Sequence, residues 1–144
     1  MAAALSNEWT DRTAPSLDDF EAMALAAWEA LPAEFRALID GVPCVVADFP
    51  DEETMTEMEL ESEFDILGLF RGVGLPQGGA NPATGQMPNM VWLYRRPILD
   101  YWAESADGET LGEIITHVLV HEIGHHFGFS DDDMEALEAQ AERD

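Results

Sequence analysis

The sequence contains no lysine, and its 6 basic residues, all arginine, face 30 aspartate and glutamate residues. The formal net charge is -24 at pH 7. Nucleic acid is therefore not expected as a partner, because proteins bind phosphate backbones through clustered cations. Anionic membrane surfaces are disfavoured for the same reason. An acidic surface of this kind serves mainly to keep a protein soluble.

Cysteine and long apolar runs are also scarce. Cys44 is the single cysteine, so no internal disulfide can form, and its place in an apolar run indicates a small core residue. No apolar run approaches the roughly 20 residues that a membrane-spanning helix needs. The N-terminal residues lack the charged and apolar regions of a signal peptide. We therefore expect a cytoplasmic, monomeric protein, with one folded domain in its 144 residues.

Helical signals dominate the first third of the chain. Residues 1–15 show no hydrophobic period and are expected to form a loose, flexible tail, which leaves residues 16–144 as a single domain. Ser16 and Asp19 form a helix-start signature. Apolar spacing, or proline and glycine at the ends, predicts helices at residues 16–31, at residues 32–41 and from Pro97 to Ala103.

Three apolar or β-branched runs predict strands: residues 42–49, which we expect to be buried, 66–71 and 89–95. The carboxylate-rich residues 51–65 are expected to form a solvated loop with some helix. A divalent-ion site is the weaker alternative there, because the spacing and glycine of a calcium loop are missing. The Gly- and Pro-rich residues 72–88 fit either a lid or binding loop, or a hairpin tip without a role.

The chemistry is concentrated in the last quarter of the sequence, where all 4 histidines lie. His121, Glu122 and His125 form an H-E-x-x-H pattern in a helix predicted from about residue 109 to 127, with Asp107 as its N-cap. Residues four apart share one face of a helix, so both imidazoles can point at one metal ion. Apolar residues cover most of the circumference, which predicts that this helix is the buried centre of the domain.

Gly128 and Asp131 extend the pattern to H-E-x-x-H-x-x-G-x-x-D. In this pattern the glycine lets the chain turn and a carboxylate returns as a third ligand. The sequence therefore predicts one zinc ion, held by His121, His125 and Asp131. Zinc lowers the pKa of bound water toward neutrality, and the neighbouring Glu122 is expected to take the proton as general base and pass it to the leaving amine.

Several other residues have open or secondary roles. Asp132 is the alternative third ligand, because the segment around Asp131 also matches a helix start in which carboxylates complement the helix dipole. His117 lies one turn before the motif and is expected to support a ligand or face the substrate. His126 points elsewhere on the helix and is expected to be structural or exposed. Tyr94, near the end of the third strand, is a candidate oxyanion donor.

Residues 120–128 and the acidic residue after them resemble the small bacterial zincin-like metallopeptidases, also called minimal zincins. The doubled histidine before Phe127 is a specific mark of that family. Further blocks resemble the family in the same order, so that the likeness spans about residues 17–135: residues 31–35, 42–49, 67–72 and 93–97. The resemblance implies an α+β fold, with a small mixed sheet packed against the motif helix and flanking helices, and a third ligand at Asp131.

These observations predict a zinc-dependent metallopeptidase that cleaves short or unfolded peptides. An extended substrate is expected to pair with an exposed strand edge, for which residues 89–95 are the first candidate. A catalytically silent metal-binding module, regulatory or interacting, is the alternative from a different class. An amide hydrolase acting on a non-peptide substrate would share the same ligands.

Overall fold

The computed structural model describes residues 8–71, 89–105 and 108–143. The expectations for residues 1–7, for the segment 72–88 and for Asp107 itself fall outside the described residues. A 3₁₀ turn at Glu8–Asp11 precedes the first α-helix. The remaining elements, in chain order, are α1 (Leu17–Ala30), α2 (Ala33–Leu38), β1 (Cys44–Ala47), α3 (Glu52–Glu57), β2 (Gly68–Arg71), β3 (Met90–Tyr94), α4 (Arg95–Glu104), α5 (Leu111–His126) and α6 (Asp131–Arg143).

Helix α1 begins where the sequence predicts. The Ser16 hydroxyl accepts a hydrogen bond from the Asp19 backbone N–H, at 3.1 Å, and the Asp19 carboxylate accepts one from the Ser16 N–H, at 2.9 Å. Helix α4 begins at Arg95, two residues before the predicted start at Pro97. A proline fits there because the first N–H groups of a helix have no partner within the helix.

The three strands form one sheet in the order β1-β3-β2. Strand β1 runs parallel to β3, with Val45 opposite Trp92, and β2 runs antiparallel to β3, with Leu69 opposite Trp92. Two predictions need correction. Strand β3 is central and hydrogen-bonded on both sides, so residues 89–95 offer no free edge to a substrate. Strand β1 lies at an edge and is half-buried along its length, not fully buried.

Helix α5 lies at the centre of the core, as predicted. Eight of its residues are buried, and Ile115, Leu119 and Ile123 are fully inaccessible to solvent. Val91 and Leu93 of β3 belong to the same buried cluster. Helices therefore pack on a small mixed sheet, which is the predicted α+β fold. Among the described residues, no helix is long and apolar enough to cross a membrane.

The acidic residues 51–65 contain one short helix, α3, as predicted. The Asp51 carboxylate caps it by accepting a hydrogen bond from the Thr54 N–H at 2.8 Å. The half-buried Arg71 side chain of β2 donates to the Thr54 hydroxyl at 2.6 Å and pairs with Glu57 at 2.8 Å. These bonds tie the acidic segment to the sheet.

Candidate metal centre

With Asp107 as its N-cap, helix α5 would begin at residue 108. It begins three residues later, at Leu111. Thr110 is the N-cap: its hydroxyl accepts from the Glu113 N–H at 3.1 Å, and the Glu113 carboxylate accepts from the Thr110 N–H at 2.8 Å. The prediction of Asp107 was wrong because a capping box needs a carboxylate or amide side chain three residues after the cap. Thr110 has that partner in Glu113.

Three histidines form a stripe along α5. His117, His121 and His125 lie one turn apart, with ring centroids 4.0 Å apart for the first pair and 5.7 Å for the second. His121 has 28% of its side chain exposed and His117 has 50%, and His125 is exposed. Burial, and then the neighbouring His117, lower the pKa of His121. A neutral imidazole is the form that binds a metal ion.

A glycine turn reverses the chain after α5. Gly128 has a φ of +80°, which favours glycine, and its N–H donates to the His125 carbonyl at 3.2 Å. Gly124 faces Met134 so closely that a Cβ there would collide with the Met134 side chain. Helix α6 can therefore return along α5 at short range.

Helix α6 carries acidic side chains back toward the histidine stripe. Asp131 is its first residue, and the Ser130 hydroxyl accepts from the Asp133 N–H at 3.1 Å, as the helix-start pattern predicts. An open pocket of about 590 Å³ lies between the two helices. Its lining consists of His117, His121, Asp131, Glu135, Glu138 and Ala139. Asp131 therefore faces the same pocket as His121. Asp132, the alternative third ligand, is not among the described residues that line it.

Glu138 is the residue that the sequence analysis missed. Its Oε1 lies 2.8 Å from His117 Nδ1, and its Oε2 lies 3.5 Å from His121 Nε2. One ligand atom from each of these three residues lies within 4.8 Å of the others, which is a spacing that could hold a metal ion. Glu138 follows Asp131 by seven residues, two helical turns, and that spacing is the signal from which it could have been found.

Glu122 points to the other side of α5, toward β2. Its carboxylate accepts a hydrogen bond from the Phe70 backbone N–H, and burial raises its pKa to about 7, against the smaller opposing effect of that bond. Gly68 makes this approach close, since a Cβ there would lie 2.6 Å from Val118 Cγ1 and 3.5 Å from Glu122 Cγ. A carboxylate with a pKa near neutrality suits general-base catalysis.

His126 and Tyr94 pack into the structure around the site. The His126 ring stacks on Phe70 with centroids 3.8 Å apart and planes 17° apart, so the expected structural role of His126 is what the structure shows. Tyr94 is buried at 2% exposure, and its hydroxyl is hydrogen-bonded to Thr54. Burial raises the Tyr94 pKa. This geometry gives Tyr94 a structural partner and adds no support to its prediction as an oxyanion donor.

Comparison with known protein families assigns the chain to one of them. A family model described as zincin-like metallopeptidase matches residues 39–141, which is more than two thirds of the sequence. The chain therefore belongs to the zincin-like metallopeptidases. A separate search of curated proteins finds no match.

The donor atoms around the pocket suit the zinc ion that the family implies. Two imidazoles and one carboxylate are a common zinc ligand set, and two candidate sets of this kind share His121. One is the predicted set with His125 and Asp131, but its ligand atoms are not within 4.8 Å of one another in the described part of the chain, and His125 does not line the pocket. The other is the observed group with His117 and Glu138. Nitrogen and carboxylate donors of this kind favour zinc over calcium or magnesium, which prefer oxygen alone.

Proposed function

We propose that the protein is a zinc-dependent peptidase in which Glu122 is the general base. The observation that carries the proposal is the environment of this carboxylate. It is half-buried, it lies next to His121 in the helix, it accepts a hydrogen bond from the Phe70 N–H, and its pKa in the metal-free protein is raised to about 7. A carboxylate of this kind can both accept a proton and give it up again near neutral pH.

His121, His125 and Asp131 would hold the ion for this reaction. A zinc ion there would supply the Lewis acidity that polarises the scissile carbonyl and makes water a better nucleophile. Glu122 would take the proton from the attacking water and deliver it to the leaving amine. The Phe70 N–H orients the Glu122 carboxylate and is in place before substrate arrives.

The edge of β2 that faces away from β3 pairs with no other strand of the described residues, and it is the proposed binding surface for an extended peptide. Leu69 is opposite Trp92 of β3. The N–H of the next residue, Phe70, points away from β3 and donates a hydrogen bond to the Glu122 carboxylate. A peptide strand paired with this edge would pass close to Glu122. Main-chain hydrogen bonds would supply affinity with little selectivity for sequence, which suits short or unfolded peptides.

The test is turnover of a peptide library by the zinc-loaded protein and by two variants of equal charge change. Glu122→Gln removes the base and should abolish turnover while zinc content stays unchanged. Glu29→Gln changes an exposed glutamate of α1, outside the motif, and should leave turnover unaltered. Equal turnover in both variants would contradict the assigned role. Zinc binding without turnover in the parent protein would favour the silent metal-binding module.

A further inference from the structure

The helix pair α5 and α6 carries two sets of metal-ligand side chains, stacked along its length. The helices are antiparallel, since Gly124 lies against Met134 while the earlier His117 lies against the later Glu138. On α5 the histidines recur every four residues, and on α6 the carboxylates of Asp131 and Glu138 are seven apart. Glu138 therefore lies against His117 and His121, and Asp131, two turns earlier on α6, lies toward the C-terminal end of the histidine stripe.

The set that includes Glu138 is the more fully assembled of the two. The Glu138 carboxylate is 15% exposed and directs one oxygen at each imidazole, with Oε1 toward His117 and Oε2 toward His121. The two imidazole rings are tilted by 33° and lie 4.0 Å apart. Among the described residues this is the group of His, Cys, Asp and Glu side chains whose ligand atoms are mutually close enough for one ion.

The distance between His121 and Glu138 suits two ligands of one tetrahedral metal ion better than a direct hydrogen bond. Ligand bonds of about 2.0–2.1 Å at tetrahedral angles put neighbouring ligand atoms about 3.3 Å apart. The 3.5 Å between His121 Nε2 and Glu138 Oε2 is near that value, and it is long for a hydrogen bond from nitrogen to oxygen. The 2.8 Å contact of Glu138 with His117 is a hydrogen bond that a small side-chain rotation would open.

We propose that His117, His121 and Glu138 form a second position for a divalent transition-metal ion such as Zn²⁺. This position and the one with His125 and Asp131 exclude each other, because both need the imidazole of His121. One ion therefore occupies either the position with His125 and Asp131 or the position with His117 and Glu138, one helical turn earlier on α5. The exclusion rests on the proposed function, whereas binding at the second position does not.

The experiment measures Zn²⁺ and Co²⁺ binding, not activity, in a variant that lacks the other ligand set. In His125→Ala/Asp131→Ala, two exposed residues are replaced, so the fold should persist, and circular dichroism checks this. Calorimetry should show one bound ion, and Co²⁺ should give the visible absorption of a site with nitrogen ligands. Adding Glu138→Gln or His117→Ala should weaken binding at least about 10-fold, by analogy with losses at supporting residues of metal sites.

Glu135→Gln in the same double variant is the matched control. Glu135 is exposed, lies on α6 and lines the same pocket, so its loss should leave the affinity unchanged. The proposal is overturned if the folded double variant binds no ion, or if Glu138→Gln and Glu135→Gln weaken binding equally. A parent protein that binds zinc without cleaving peptides would count against the peptidase only.

Discussion

Replacement of Gly68 by alanine tests the close approach of β2 to the motif helix. A Cβ at this position would lie 2.6 Å from Val118 Cγ1 and 2.9 Å from the Trp92 carbonyl oxygen. The second neighbour is backbone of the central strand and cannot rotate away. The strand must therefore shift, and forcing extra volume into a packed site costs about 1–3 kcal/mol. For a chain of this size the melting temperature should fall by roughly 3–10 °C.

Gly112→Ala is the matched control for this prediction. Gly112 lies in the first turn of α5, and the nearest atom to an added Cβ is Thr110 Oγ1 at 4.0 Å. Alanine is favoured over glycine in a helix by up to about 1 kcal/mol, so this variant should be as stable as the parent or slightly more stable. Urea and thermal denaturation of both variants measure the difference. If Gly68→Ala were as stable as Gly112→Ala, the described packing of β2 on α5 would be wrong.

Two further predictions concern the core and the pH dependence. Leu119→Ala removes a fully buried side chain of α5 and should lower the free energy of unfolding by about 2–5 kcal/mol; a loss below 1 kcal/mol in urea denaturation would contradict its central position. The raised pKa of Glu122, about 7 against 4.5, means that the folded metal-free protein holds a proton that the unfolded chain releases. Its contribution to stability is therefore present below about pH 4.5 and is lost as the pH rises to about 7. With chelator present, Glu122→Gln should flatten the decline in unfolding free energy over this window, and an unchanged slope would refute the shift.

Local signals in the sequence predicted much of the helical structure. Ser16 with Asp19, and the Ser130 hydroxyl with Asp133, are capping pairs whose partners lie three residues apart. Apolar spacing likewise identified α5 as the central helix. The same kind of signal was misread at Asp107, where the nearby Thr110 and Glu113 form the capping box. Local sequence decides such features because the interacting atoms are neighbours in the chain.

The order of the strands could not be predicted from their hydrophobic patterns. Alternation of side chains shows which face of a strand is buried, but strand neighbours are set by how the segments meet in space. Residues 89–95 were therefore expected at an edge, and the structure places β3 between β1 and β2. That change moves the proposed peptide-binding edge from β3 to β2.

The sequence by itself determined where the candidate side chains lie along the chain: His121, Glu122 and His125 on one helix, a glycine turn, and carboxylates after it. Helical spacing is enough for this, since residues four apart share a face. The tertiary structure decided what surrounds these residues. Burial against β2 raises the pKa of Glu122 to about 7, and antiparallel packing of α6 brings Glu138 to His117. Both effects depend on contacts between segments far apart in the chain, which no local pattern records.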